Sequence, residues 1–117
     1  MKLNDLKNKI EIDIDIEGSL ARFGNMESFY IKFLKKFVDD KSFETLSSGI
    51  ENKNLKDIKD GAHTLKGVAG NLGLKKIYDI SKKLMEINDE IDENIIMLYK
   101  DLKNEIEKTK EVLKNLD

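Results

Sequence analysis

The sequence predicts an all-α protein, an antiparallel up-down four-helix bundle with an additional N-terminal helical segment. Apolar residues recur at spacings of three and four along most of the 117-residue chain, which is the period of an amphipathic helix. The chain contains no proline, and helix interiors exclude proline most strongly. Short connections between long amphipathic stretches favour antiparallel neighbours. We therefore expect a single domain, residues 1–117, with the N-terminal segment at 1–23 and the bundle at 24–117.

Composition narrows the class of protein. Hydrophobic residues make up 39% and charged residues 38% of the chain, which is typical of a globular domain with a heavily charged surface. The net charge of −2 gives no reason to expect nucleic acid or a membrane as a partner. The lack of cysteine excludes disulfides and is compatible with a reducing compartment. No apolar run approaches the roughly 20 residues that cross a bilayer, and no signal peptide is evident. We expect a cytoplasmic protein.

The N-terminal segment begins with three apolar residues at helical spacing, which predict a short first helix. They are Leu3, Leu6 and Ile10. Residues 10–17 then alternate isoleucine with acidic residues, and taken alone this pattern indicates a strand. Because no second stretch alternates comparably, we predict an extended link followed by a short turn of helix at 16–23. We expect a monomer; edge-to-edge pairing of two chains through Ile12–Ile16 is the alternative.

The bundle region contains five amphipathic stretches. They cover residues 26–38, 43–50, 55–72, 77–91 and 95–116. Asn25 is a suitable N-cap for the first stretch. Gly73 follows the third at the position where a left-handed C-cap is wanted, with Leu74 as its apolar companion. Residues 92–94 supply a cap and an acidic first turn for the last.

His63, the only histidine, lies in the third stretch. It follows the apolar position Ala62 by one residue, so its side chain points about 100 degrees away from the apolar stripe. That placement disfavours a buried histidine and leaves an ordinary surface residue as the simplest interpretation. Four residues share its face at i−4, i+3, i+4 and i+7. They are Lys59, Lys66, Gly67 and Gly70.

Three glycines inside the same helical stretch need a reason, because each costs about 1 kcal/mol relative to alanine. Close helix packing is sufficient for Gly61. Gly67 and Gly70 share the face of His63, where missing side chains would clear a platform that another protein's surface can approach. A neutral imidazole, abundant at pH 7, is a competent nucleophile toward phosphorus. Lys66 could then supply positive charge to the equatorial phosphoryl oxygens.

The segment Ala62 to Gly73, AHTLKGVAGNLG, resembles the signature of histidine-containing phosphotransfer (HPt) domains. That signature is a helix bearing His-x-x-Lys-Gly with a further glycine near its end. The flanks Gly18–Asn25 and Leu74–Glu86 are also similar, so the resemblance covers roughly residues 12–90, and the last helix is similar only in character. The resemblance implies that His63 accepts a phosphoryl group from a receiver-domain phospho-aspartate and passes it to another receiver. The hybrid sensor histidine kinase of a multistep phosphorelay would stand upstream.

The resemblance also implies roles for the neighbours of His63. Lys66 would contact the phosphoryl oxygens, and Gly67 would keep access open. Because Lys59, Gly67 and Gly70 share the face of His63, we expect these three residues to form the platform on which the response-regulator receiver docks. The domain would be a stoichiometric carrier and not an enzyme, without a cofactor of its own, and the receiver would bring Mg²⁺ and the catalytic acids.

One position departs from the family's pattern. Many members place Glu or Gln directly after the leucine in the middle of the following helix, near the histidine ring. Here Met85 follows Leu84. Ser81 and Lys82 are other candidates for orienting the imidazole, and the sequence does not choose between them.

Two alternatives stay open, a non-catalytic receiver-docking module on the same scaffold and a purely structural bundle. Lys75 and Lys76 lie close enough in sequence to add to the field around His63, although solvated surface charges are the simpler interpretation. No Walker A loop or dinucleotide-binding glycine pattern is present. With one histidine and no cysteine, a metal site is not expected.

Overall fold

The computed structural model describes residues 1–9, 11–88 and 90–117. Within these residues the chain forms seven helices and no strand, which confirms the predicted all-α class. The helices are α1 (Leu3–Leu6), α2 (Ile16–Arg22), α3 (Glu27–Phe37), α4 (Ser42–Glu51), α5 (Leu55–Leu72), α6 (Lys75–Met85) and α7 (Glu93–Leu113). None of them is long and apolar enough to cross a membrane.

Helices α3 and α4 together occupy one position of the bundle. Both contact α5 and α7, but at different heights. Tyr30 in α3 donates a hydrogen bond to the carbonyl oxygen of Leu72 at the end of α5 (2.7 Å), whereas Gly49 in α4 packs against Ile58 near its start. Contacts of α5 with α6, and of α6 with α7, close the ring. The four positions therefore alternate in direction, which confirms the predicted up-down bundle.

The contact between α4 and α5 is close enough to exclude side chains. A Cβ atom at Gly61 would lie 2.6 Å from the backbone nitrogen of Leu46, and one at Gly49 would lie 2.7 Å from that of Ile58. Both distances are shorter than any tolerable contact with backbone, so both positions need glycine. Close packing is thus the reason for Gly61.

The N-terminal segment pairs with the turn between α5 and α6. The backbone nitrogen of Asp15 donates to the carbonyl oxygen of Gly73 (2.8 Å), and the backbone nitrogen of Lys75 donates to the carbonyl oxygen of Asp13 (3.0 Å). Ile14 forms an isolated antiparallel bridge with Leu74. The alternating stretch therefore has a partner within the chain, and the sequence concealed it because the partner is a turn and not a strand.

This pairing bears on the edge-to-edge dimer. Ile12 and Ile16 are both buried, and the backbone between them already donates and accepts hydrogen bonds within the chain.

The predicted short helix after the link is present as α2, and the first helix as α1, with Leu3 and Leu6 buried. Ile10, the third member of the first pattern, lies outside the described residues.

The fourth amphipathic stretch ends earlier than predicted. Its apolar spacing extended the helix to residue 91, but α6 ends at Met85. Ile87 and Ile91 lie half-buried in the connection to α7 and pack against the core. Asp92 accepts a hydrogen bond from the backbone of Ile95 (3.0 Å) and begins a separate helix. Ile87 and Ile91 thus continue the helical spacing of apolar residues, but the backbone that carries them is not helical.

Candidate functional site

His63 lies in the middle of α5 with an exposed side chain, between the buried Ala62 and Leu65. The helix continues to Leu72 and ends as predicted, with Gly73 in the left-handed conformation (φ +77°). The backbone nitrogen of Leu74 donates to the carbonyl oxygen of Ala69 (2.9 Å), which satisfies one of the free carbonyls at the helix end. The imidazole is thus carried by a helix whose C-terminal end is capped.

A shallow cleft of about 230 Å³ opens beside the imidazole. It is lined by His63, Lys66, Gly67, Gly70, Asn71 and Tyr78. A Cβ atom at Gly67 would meet nothing within 4 Å, so packing in the described structure does not require glycine at this position. The open space lies one helical turn beyond His63, on its own face.

Lys66 contributes the positive charge of the cleft. Its side chain is half-buried, and Nζ lies 5.7 Å from the centroid of the Tyr78 ring, within the range of a cation–π contact. Among the described residues no acidic group forms a salt bridge with it. The charge of Lys66 is therefore not neutralised by a neighbouring carboxylate of the described chain.

Gly70 has a different environment from Gly67. A Cβ atom at Gly70 would lie 3.4 Å from two carbons of the Tyr78 ring. Its carbonyl oxygen accepts a hydrogen bond from Arg22 in α2 (2.8 Å), which also donates to the hydroxyl of Ser19 (2.8 Å). The Tyr78 ring therefore borders Gly70 on one side, whereas Gly67 has no neighbour at that distance, and both glycines line the cleft.

The family comparison bears directly on this geometry. The model of the Hpt domain matches residues 33–112, which is more than half of the chain and includes the whole cleft. The chain belongs to the Hpt domain family. The comparisons with curated proteins and with solved structures gave no match. Hpt domains are phosphocarrier modules of phosphorelays, and members of the family interact with response-regulator receiver domains.

The extent of the match differs from the resemblance inferred from the sequence. That resemblance covered residues 12–90, with the last helix similar only in character. The Hpt match begins within α3 and reaches residue 112, so it includes nearly all of α7 and leaves out Gly18–Asn25. The family's pattern in this chain is therefore carried by the bundle, and the N-terminal segment lies outside it.

The other three lysines that the sequence placed near His63 do not line its cleft, although Lys75 lines a neighbouring cavity with Gly70 and Tyr78. Lys59 is half-buried, and its Nζ donates to the side chain of Asn88 in the connection after α6 (3.3 Å). Lys76 lies 3.8 Å from the buried carboxylate of Glu105 in α7. Lys75 is exposed at the start of α6. Lys66 is the lysine that the structure places in the cleft beside His63.

None of the candidates for orienting the ring forms a hydrogen bond with His63 in the described structure. Ser81 is fully buried and its Oγ has no partner there, Lys82 is exposed, and Met85 is half-buried. In the described part of the Hpt domain, no group of three His, Cys, Asp or Glu side chains is placed to hold a metal ion.

Two residues of the cleft, Asn71 and Tyr78, were missed by the sequence reasoning. A signal for Tyr78 was present. It follows the buried Ile77 by one residue, as His63 follows Ala62, so it too points away from its apolar stripe. What the pattern did not contain is the rotation of α6 about its axis, which turns that off-stripe position toward α5.

Proposed function

We propose that this Hpt domain accepts a phosphoryl group on His63 from the phospho-aspartate of one receiver domain and passes it to a second receiver. The pathway is a multistep phosphorelay supplied by a hybrid sensor histidine kinase. The observation that carries the proposal is the juxtaposition of an exposed imidazole, the open space at Gly67 and the charge of Lys66 in one cleft.

The chemistry needs little more than that arrangement. An imidazole nitrogen lone pair attacks phosphorus, and the nitrogen–phosphorus bond forms as the bond from phosphorus to the aspartyl oxygen breaks and releases the carboxylate. The second transfer is the same step in reverse, with a different carboxylate as acceptor. Catalysis of such transfers is mainly positioning and charge compensation, and Lys66 in the same cleft would stabilise the equatorial oxygens. The receiver contributes Mg²⁺ and the acidic residues, so the Hpt domain acts as a stoichiometric carrier.

An aromatic surface beside the cleft supports docking of a receiver. The rings of Phe23, Phe29 and Phe33 lie 5.1–6.0 Å apart by their centroids, and Phe29 is 41% exposed. A cavity of about 550 Å³ connects this cluster to Asn71, which also lines the cleft. A standard interface covers about 800 Å² per partner, a disc of about 16 Å radius. Asn71 lies about 12 Å along α5 from His63, so a receiver centred on His63 reaches the edge of this cavity.

The test is transfer from a radiolabelled, phosphorylated receiver to the purified domain. Wild type should acquire acid-labile, base-stable label, and His63→Gln should acquire none while keeping its helical circular dichroism spectrum. If His63→Gln accepted label as fast as wild type, the assignment of the accepting residue would be wrong.

The role of Lys66 is tested with a matched loss of charge. Lys66→Ala should slow transfer about tenfold or more, the size of effect expected when a charge-compensating group is removed. Lys100 is exposed on α7, the helix diagonally opposite α5, so Lys100→Ala should transfer at the wild-type rate. Equal rates for the two variants would remove Lys66 from the mechanism.

A non-catalytic receiver-docking module is the alternative, and the half-buried Met85 is the observation that favours it. In this chain an apolar side chain stands where many family members have a polar group beside the ring. Receiver binding that survives His63→Gln, together with no transfer to wild type from any of the host's phosphorylated receivers, would support this alternative.

A further inference from the structure

Tyr78 brings an aromatic ring from α6 into the cleft. Its Cδ2 and Cε2 atoms lie 3.4 Å from the point where a Cβ atom would stand at Gly70, so the ring rests against the backbone of α5. The Nζ atom of Lys66 lies over the same ring, 5.7 Å from its centroid. Tyr78 thus contacts two of the residues that share the face of His63.

Lysine is a long, flexible side chain whose rotamer freedom is among the largest of any residue. An ammonium group with no partner samples many positions, so its charge is spread over a wide volume. Lys66 has the Tyr78 ring as a neighbour, and among the described residues no carboxylate forms a salt bridge with it. The ring is therefore the partner that the described structure gives the Lys66 ammonium.

An aromatic partner differs from an acidic one in a way that matters for this site. A carboxylate would hold Lys66 but would also cancel its charge and repel an incoming phosphoryl group. A ring face attracts the ammonium through its quadrupole and carries no net charge. The positive charge is then held in place and remains available to the phosphoryl oxygens.

Gly70 completes the arrangement. An alanine methyl at this position would lie in van der Waals contact with the ring, at 3.4 Å, so the ring packs closely against α5 here. The two glycines on the face of His63 therefore differ in environment. Gly67 has open space beside it, whereas Gly70 lies next to the Tyr78 ring.

We propose that Tyr78 is a positioning residue for phosphoryl transfer, and that its ring holds the Lys66 ammonium beside His63. The inference rests on the proposed function, since it assigns a role in the same transfer step. The proposed role belongs to the aromatic ring and not to the phenolic hydroxyl. Tyr78→Phe keeps the ring face, whereas Tyr78→Leu removes the ring and keeps an apolar side chain, so the two variants should differ.

The experiment is a double-mutant cycle on the rate of transfer from a phosphorylated receiver. Tyr78→Phe should transfer at the wild-type rate, and Tyr78→Leu should be about two- to fivefold slower, the change expected from a contact of this class. In the Lys66→Met background Tyr78→Leu should have no further effect. A rate for Tyr78→Leu equal to wild type, or the same slowing with and without Lys66, would overturn the proposal.

A second measurement does not depend on transfer or on a variant that folds. In the unphosphorylated wild-type domain, the ring current of Tyr78 should shift the ε-methylene protons of Lys66 upfield in the NMR spectrum. The shift should persist in Tyr78→Phe. Random-coil values for these protons in wild type would refute the contact itself. If the upfield shift is present but wild type accepts no phosphoryl group from any receiver, the proposed function fails while the contact stands.

Discussion

Gly67 provides the sharpest test of the site, because substitution there should raise stability and lower function together. The position is helical, and a Cβ atom would meet nothing within 4 Å. Gly67→Ala therefore carries no steric penalty and gains the difference in helix propensity, about 0.8–1.0 kcal/mol. We expect the free energy of unfolding to rise by about that amount in urea denaturation followed by far-UV circular dichroism.

Gly61→Ala is the matched control, since it makes the same change in the same helix. There the new Cβ would lie 2.6 Å from the backbone nitrogen of Leu46, so α4 and α5 must separate. The propensity gain is outweighed by overpacking, which costs about 1–3 kcal/mol or more. We expect the two alanine variants to change the free energy of unfolding in opposite directions.

The functional half of the prediction uses a larger side chain. The Cα–Cβ bond of a helical residue tilts toward the helix N-terminus, so a side chain at position 67 leans over the preceding turn, where His63 lies. Gly67→Leu should keep the propensity gain but fill the space beside the imidazole. We expect transfer from a phosphorylated receiver to be at least tenfold slower, with Gly67→Ala between Gly67→Leu and wild type.

Two results would refute this reasoning. A destabilised Gly67→Ala would mean that the space at this position is not open. A Gly67→Leu variant that is as stable as wild type and transfers at the wild-type rate would mean that access does not depend on the glycine. Because stability and transfer are measured on the same samples, a loss of transfer through unfolding is recognised directly.

Two further predictions concern buried hydroxyl groups. Tyr30→Phe should lower the free energy of unfolding by about 1–2 kcal/mol at neutral pH, because it leaves the Leu72 carbonyl without its 2.7 Å hydrogen bond. Burial raises the pKa of Tyr30 to about 12, whereas an unfolded tyrosine ionises near 10. The stability that comes from the raised pKa is present below pH 10 and is lost between pH 10 and 12. Over that range the free energy of unfolding of wild type should fall by up to about 1.4 kcal/mol per pH unit more than that of Tyr30→Phe. Equal pH dependence of the two free energies, measured by urea denaturation, would contradict this. Ser81→Ala should leave stability unchanged or raise it by up to about 1 kcal/mol, because the fully buried Oγ has no partner in the described structure. A loss above 1 kcal/mol would show that the hydroxyl has one.

Much of the site followed from local sequence. The apolar residues at spacings of three and four in 55–72 predicted α5. His63 follows one of those apolar residues by one position, which predicted that it lies on the surface. Gly73 was predicted as a left-handed cap from its position after the last apolar residue, and it has φ +77°. Each of these depends on contacts within one or two turns of one helix, where sequence spacing and spatial spacing are proportional.

Residues far apart in the chain were harder to place. The pairing of Asp15 with Gly73 was not predicted from the sequence. The partner of the extended segment is the turn between α5 and α6, which has no strand pattern. The apolar spacing extended the helix of α6 to residue 91, because half-buried isoleucines in a loop can fall by chance at helical spacing. Periodicity reports which side chains are buried and does not report the backbone that carries them.

For the cleft the division is the same. The local pattern on α5 was sufficient for the exposed His63, for Lys66 one turn on, and for the unexplained glycines. The ring beside Gly70 and the neighbour of Lys66 depended on how α6 rotates and packs against α5, which brings Tyr78 onto the same face. Periodicity fixes the direction of a side chain relative to its own helix axis. The neighbour that it meets there is set by helix–helix packing, which joins residues by their position in space and not by their distance along the chain.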